Sequence, residues 1–176
     1  MAEPTTPLPD IDVSAADERT TLDGFLTYYR AVFTRKAEGI GDDEARRTPC
    51  PPSDLSLLGL VRHMAEVERI WAKWMFRGDA DEPLFYGDAH PDRDPDGDFH
   101  APADATLEAA MAAYRREVAD ADEIYRSAGL DDVLANAERE QKNSLRWILV
   151  HLIEEYARHV GHADLIRQAI DGAVDD

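Results

Sequence analysis

The chain has 176 residues, 44% of them hydrophobic, with 37 acidic against 19 basic side chains and a formal net charge of −18. That length suits one domain with one core, and the charge repels nucleic-acid phosphates and anionic membrane surfaces, so neither is an expected partner. The single cysteine, Cys50 in a proline-rich turn, excludes an internal disulfide and a multi-cysteine zinc cage and is expected to be inert. With no run of about 18 apolar residues and no signal-peptide pattern at the N-terminus, the sequence reads as that of a cytoplasmic protein.

Residues 1–13, punctuated by Pro4, Pro7 and Pro9, read as a flexible arm. Ser14 and Asp17 mark the start of a first helix, in which Leu22, Phe25, Leu26, Tyr29, Val32, Phe33 and Lys36 keep the spacing of one helical face. It is expected to end near Gly39 or Gly41, before the proline-broken connection DDEARRTPCPPS. Ser53 and Asp54 are the expected cap of a second helix, LSLLGLVRHMAEVERIWAKWMF, which stops at Gly78. Residues 79–103 show no sustained period and are too long for an idle connection, so they are expected to pack over something or to carry function. Asp104 opens a third helix that closes at Gly129, and Ser144 begins a fourth that runs to about Ile170 and stops at Gly172. Four long helices without alternating strands predict an all-α, antiparallel four-helix bundle. It forms a single domain over residues 14–172, with a long irregular segment between helices 2 and 3 and a tail at 173–176.

The fourth helix contains HLIEEYARHVGH, residues 151–162. At about 100° per residue, with His151 at zero, Glu155 falls near 40°, His159 near 80° and His162 near 20°, beside Ile148 and Ile166 near 60°. The polar quartet thus lies in or beside the apolar stripe, while Glu154 and Arg158 point to the solvated side. In the second helix, at the same rate of about 100° per residue and with His63 at zero, Leu60 falls at roughly 60°, Val67 at roughly 40°, Trp71 at roughly 80°, Trp74 at roughly 20° and Ile70 at roughly 340°. His63 therefore sits in the middle of an apolar stripe.

Burying a carboxylate and several imidazoles is costly unless each is paired, and a divalent cation relieves much of that cost. Residues at i and i+4 on one helix converge, and a bundle core admits a third ligand from a facing helix. Glu155 and His159 form such a pair, with His63 as the third ligand. His162 can replace Glu155, take a fourth position or hydrogen-bond from outside the ligand set, and His151 is expected outside it. Two imidazoles and a carboxylate suit Zn²⁺ first, with Ni²⁺, Fe²⁺ and Mn²⁺ also compatible, and three protein ligands leave one coordination position open.

Other features carry less. In DRDPDGD, residues 92–98, Asp92, Asp94, Asp96 and Gly97 imitate the start of a calcium loop, but position twelve is Ala103 and Pro95 stiffens the turn, so a folded acidic turn is expected. His90 and His100 read as exposed loop histidines. Trp71, Trp74, Phe85, Tyr86 and Phe99 can wall an apolar pocket or simply fill a core, and Tyr29 and Tyr156 share that ambiguity. Arg30, Arg35 and Arg158 are the cations available to an anionic cosubstrate, and each is expected at the surface, solvated or salt-bridged.

The stretches LSLLGLVRHMAEVE and HLIEEYARHVGHADLIRQAIDG resemble the DinB superfamily and, within it, the actinobacterial mini-circle branch; the resemblance runs from residue 17 onward. Many DinB proteins have histidine where this chain has Glu155, a departure shared with the mycothiol-dependent maleylpyruvate isomerase branch. The resemblance implies a four-helix bundle with His63, Glu155 and His159 as ligands of a divalent metal. It also implies a metal-dependent transferase or isomerase that joins a low-molecular-weight thiol of the mycothiol type to an electrophile. The alternatives are a non-catalytic metal-binding or stress-response module, expected as a homodimer through an exposed apolar helix face, and a plain bundle with a polar core.

Overall fold

The computed structural model describes residues 6–79, 82–86, 94–133 and 143–174. These form helices α1 (Glu18–Lys36), α2 (Asp42–Ala45), α3 (Leu57–Arg69), α4 (Leu107–Arg126) and α5 (Leu145–Asp171), and α3 continues directly into a π-helical segment, Ile70–Arg77. Among the described residues there is no strand, only an isolated bridge between Val133 and Ser144, and no helix is long and apolar enough to cross a membrane. The chain is all-α, as its periodicity predicts.

Local chemistry sets the ends. Asp17, Ser56, Thr106 and Ser144 each accept a backbone N–H of the first turn of the helix that follows, and Gly78 and Gly172 end their helices at φ 81° and 75°, which a side chain would disfavour. Ser53 and Asp54 are therefore not the second cap, and Asp104 is not the third. In each case a hydroxyl two residues further on stands directly before the apolar run.

Contact partners fix the directions. Glu18 meets Arg146 near the start of α1 and α5, and Lys36 meets Asp164 nearer their ends, so these two helices run the same way. Lys73 with Glu117 and Phe76 with Tyr125 give the π segment and α4 a common direction. Arg19 donates to the carbonyls of Tyr125 and Ala128, whereas Phe33 packs on Tyr114, so α1 and α4 are opposed. His63 lies against His159, and Trp71 against Trp147, so α3 and α5 are opposed too. The order is up, down, down, up. Two consecutive helices that run the same way need a crossover between them. This accounts for the long irregular segment: the chain must return along the bundle before α4 can begin.

The core is shared by all four long helices: Leu26 and Phe33 from α1; Leu57, Leu60, Val61 and Met64 from α3; Met111 and Tyr114 from α4; Ile148, Leu152, Tyr156 and Ile166 from α5, all buried. Each such side chain contributes about 1.5–3 kcal/mol on burial. Phe25, expected on the buried face, is 42% exposed, and Arg30, expected at the surface, is 8% exposed. Arg30 donates from Nε and Nη2 to the two oxygens of the fully buried Glu68, both at 2.7 Å, and from Nη1 to Asp122. Glu68 Oε1 also accepts the Tyr156 hydroxyl at 2.5 Å, and Tyr114 and Tyr156 share a hydrogen bond of 3.0 Å. This network ties all four long helices directly through charged and phenolic groups.

Candidate functional site

The phase that sets α5 against α3 brings His63, Glu155 and His159 together, with one ligand atom of each within 4.8 Å of the others. His159 is 6% exposed. It occupies a core position in the series Leu152, Tyr156, His159, Ala163, Ile166, all buried, whose spacing of three and four keeps them on one helical face. Its Nε2 stands 3.3 Å from Glu155 Oε2, and its ring centroid lies 4.7 Å from that of His63. Burial, followed by the neighbouring His63 and His162, pulls the His159 pKa down to about 3, so the imidazole is neutral at pH 7 with a lone pair to offer. Two imidazoles and one carboxylate on opposed helices fit a small divalent cation by donor type and by convergence.

The remaining histidines separate. His162 Nδ1 lies 3.3 Å from His159 Nδ1, and their rings meet edge to face at 5.2 Å. His151 stacks on Trp147 and meets Trp71 edge-on, and burial lowers its pKa. Its Nε2 is 3.5 Å from Glu155 Oε1, and its Nδ1 is 3.5 Å from Glu154. His151, Glu154 and Glu155 form a second convergent group. There, however, Glu154 is taken up by the guanidinium of Arg158, which also donates to Glu155 Oε1 at 3.3 Å. Glu154 and Arg158 are exposed, on the solvated side their phase predicts.

The returning segment closes the site from the α3 side, a contribution that its aperiodic sequence does not announce. Gly59, Arg62, His63 and Glu66 follow the i, i+3, i+4, i+7 rule and share one face of α3. All four meet this segment. A side chain at Gly59 would run into the backbone carbonyl of Phe99. Arg62 donates to the carbonyls of Asp98 at 3.0 Å and Gly97 at 2.7 Å, with its guanidinium 4.1 Å from the Phe85 ring centroid. His63 Nδ1 is 2.7 Å from the buried carboxylate of Asp98, and the His63 ring stacks on Phe99 at 4.2 Å. Glu66 Oε1 accepts the Phe85 N–H at 2.6 Å, while Oε2 is buried without a hydrogen-bond partner. Burial raises the Glu66 pKa to about 7.

Other expectations resolve as follows. His90 and Asp92 lie outside the described residues. Asp94 accepts the Asp96 N–H and faces His100 at 2.5 Å, so this part of the acidic stretch is a folded turn and His100 is an exposed loop residue apart from the convergent group. Phe99 and Trp71 border the histidines, whereas Tyr156 belongs to the core network. Cys50 is a half-buried free thiol that donates to the Leu165 carbonyl at 3.8 Å.

A family model described as Mycothiol-S-transferase matches residues 21–172, a span that includes α3, the crossover and α5 with all three convergent side chains. No curated protein matches the chain. The match agrees with the DinB-type resemblance of the second and fourth predicted helices and with the all-α bundle. The chain belongs to the mycothiol S-transferase family, a member of the DinB-like superfamily.

Proposed function

We propose that this protein is a metal-dependent transferase that joins the sulfur of a mycothiol-type thiol to an electrophilic small molecule. The observation that carries the reading is the convergence of His63, Glu155 and His159 from opposed helices, in a chain matched by a mycothiol S-transferase model over most of its length. These three side chains are the proposed ligands, and Zn²⁺ is the proposed ion, because nitrogen and carboxylate donors without thiolate suit it and three ligands leave a position for an exogenous group. Held by His63, Glu155 and His159, such a cation would supply Lewis acidity that favours thiolate over thiol near neutral pH. In the reaction the thiol S–H gives up its proton and the sulfur forms the new S–C bond. The electrophilic carbon releases a bonding pair, either to a departing leaving group or, in an addition, to the neighbouring atom of a π bond that then takes up a proton. Glu155 and His151 supply adjacent proton-accepting atoms, 3.5 Å apart, beside the proposed site. Trp71 and Trp147 flank His151, whose partial burial lowers its pKa. A cytoplasmic setting, where low-molecular-weight thiols stay reduced, agrees with this chemistry.

The test is a conjugation assay with mycothiol and an electrophilic fluorophore, run on Zn²⁺-loaded protein, chelator-stripped protein and His159→Ala. Zn²⁺-dependent product formation with the wild type and loss of it in His159→Ala is the expected result. Equal product formation in all three, or none with any low-molecular-weight thiol, contradicts the reading. Metal binding without turnover would favour the non-catalytic module.

A further inference from the structure

Asp98 is buried in the crossover, far in sequence from His63, Glu155 and His159. Its carboxylate is used twice: Oδ2 faces His63 Nδ1 at 2.7 Å, and Oδ1 accepts the Phe99 N–H at 3.0 Å. Its backbone carbonyl is held by Arg62. The carboxylate is thus fixed on both sides and has little freedom to turn away from the imidazole. An imidazole that donates Nδ1–H to a carboxylate carries its free lone pair on Nε2, and such outer partners orient histidine ligands and raise their basicity.

We infer that Asp98 is a positioning residue for His63. By accepting the Nδ1–H it fixes one tautomer and one ring orientation, and it couples the seating of the 94–106 segment on α3 to the affinity of the site for a cation. The stacking of Phe99 on the same ring supports this, since one short stretch of chain sets both the hydrogen bond and the plane of the imidazole. All three side chains stand on regular helices, and among the described residues the carboxylate that reaches the His63 imidazole comes from the irregular segment rather than from a helix. This inference rests on the metal-centre reading for its cation arm and on geometry alone for its tautomer arm.

The experiment compares wild type, Asp98→Ala, Asp98→Asn and Asp94→Ala as full-length chains. Asp94→Ala removes the neighbouring Asp94–His100 contact in the same turn without touching His63. Long-range ¹H–¹⁵N spectra of the metal-free proteins assign the His63 tautomer, and Zn²⁺ affinity is measured by competition with a chromophoric chelator. The wild type and Asp94→Ala are expected to hold Nδ1–H and to bind Zn²⁺ equally. Asp98→Ala is expected to lose that tautomer and about 10- to 100-fold in affinity, as outer-shell losses do. Asp98→Asn is expected to keep the tautomer, because its amide oxygen still accepts, and to lose less affinity. Unchanged tautomer and affinity in Asp98→Ala overturn the inference, as does an equal loss of affinity in Asp94→Ala. Should Asp98→Ala fail to fold, wild-type affinity in Asp98→Asn overturns it instead. A wild type that binds no Zn²⁺ contradicts the metal centre itself, while the metal-free spectra still decide whether Asp98 fixes His63.

Discussion

Tyr156 donates its hydroxyl to Glu68 across 2.5 Å in the middle of the bundle, while its neighbour in sequence, Glu155, faces the histidines. The two contacts use adjacent sides of α5, and Glu68 lies little more than one turn beyond His63 on α3. The buried bond therefore sets the register that brings His159 opposite His63. Glu68 also accepts two of the three Arg30 contacts, so Glu68→Ala leaves the buried guanidinium with only the half-exposed Asp122 as counter-charge. A loss of about 3–5 kcal/mol is expected for that variant, against about 1 kcal/mol for Tyr156→Phe. Urea unfolding of both variants checks this, and a near-neutral Glu68→Ala would contradict the assigned role of the network.

Gly59 faces the backbone of Phe99, which has no flexible side-chain end to move aside. Gly59→Ala is expected to push the 94–106 segment off α3 and to cost about 1–3 kcal/mol, the usual penalty of overpacking. The comparison with Gly161→Ala is informative, because a side chain there meets nothing within 4 Å. That variant is expected to be neutral or slightly stabilising, since alanine is the better helix former. Thermal unfolding of the pair in parallel checks the contrast.

Glu66 carries a pH prediction of defined sign. Its folded-state pKa is raised to about 7 from 4.5 by burial. Between those values the folded chain holds a proton that the unfolded chain has released, so this group's contribution is complete below about pH 4.5 and is lost as pH rises through 7. Glu66→Gln removes the titration and keeps an acceptor for the Phe85 N–H. The variant is expected to match the wild type near pH 4.5 and to exceed it by roughly 1–3 kcal/mol above pH 7, in proportion to the shift. A stability difference that does not change with pH would show that Glu66 is not desolvated as the fold implies.

His159 bends the metal-free curve in the opposite direction. Its folded pKa of about 3 lies below the ordinary value of 6.5, so the unfolded chain binds the proton first as pH falls. Stability of the metal-free protein is expected to drop between pH 6.5 and 3, and His159→Gln is expected to flatten that limb. Acid unfolding followed by tryptophan fluorescence reads this directly.

The parts of the site that stand on regular helices were legible in the sequence, because a fixed turn per residue places Glu155, His159 and His63 on inward faces without any knowledge of the fold. The same arithmetic holds Arg30 between Leu26 and Phe33, four residues after one and three before the other. Charge alone argued for the surface, and the partner that makes burial tolerable, Glu68, lies on another helix. Past Ile70 the α-helical phase no longer applies, since the chain becomes π-helical, and Trp71 and Trp74 are half-buried rather than central to the core. Asp98 could not be read at all. It reaches His63 because the up, down, down, up order forces the chain to return along the bundle, a consequence of helix direction that no local pattern encodes.

The most direct test of the central claim is the metal content of the protein and of its ligand variants. Zn²⁺ titration against a chromophoric chelator, with X-ray absorption at the metal edge, reports stoichiometry and donor type together. One tightly bound equivalent with nitrogen and oxygen donors and no sulfur is expected. His63→Ala, Glu155→Ala and His159→Ala are each expected to lose it, and Cys50→Ala to retain it. No binding by the wild type, or binding that survives all three substitutions, contradicts the account.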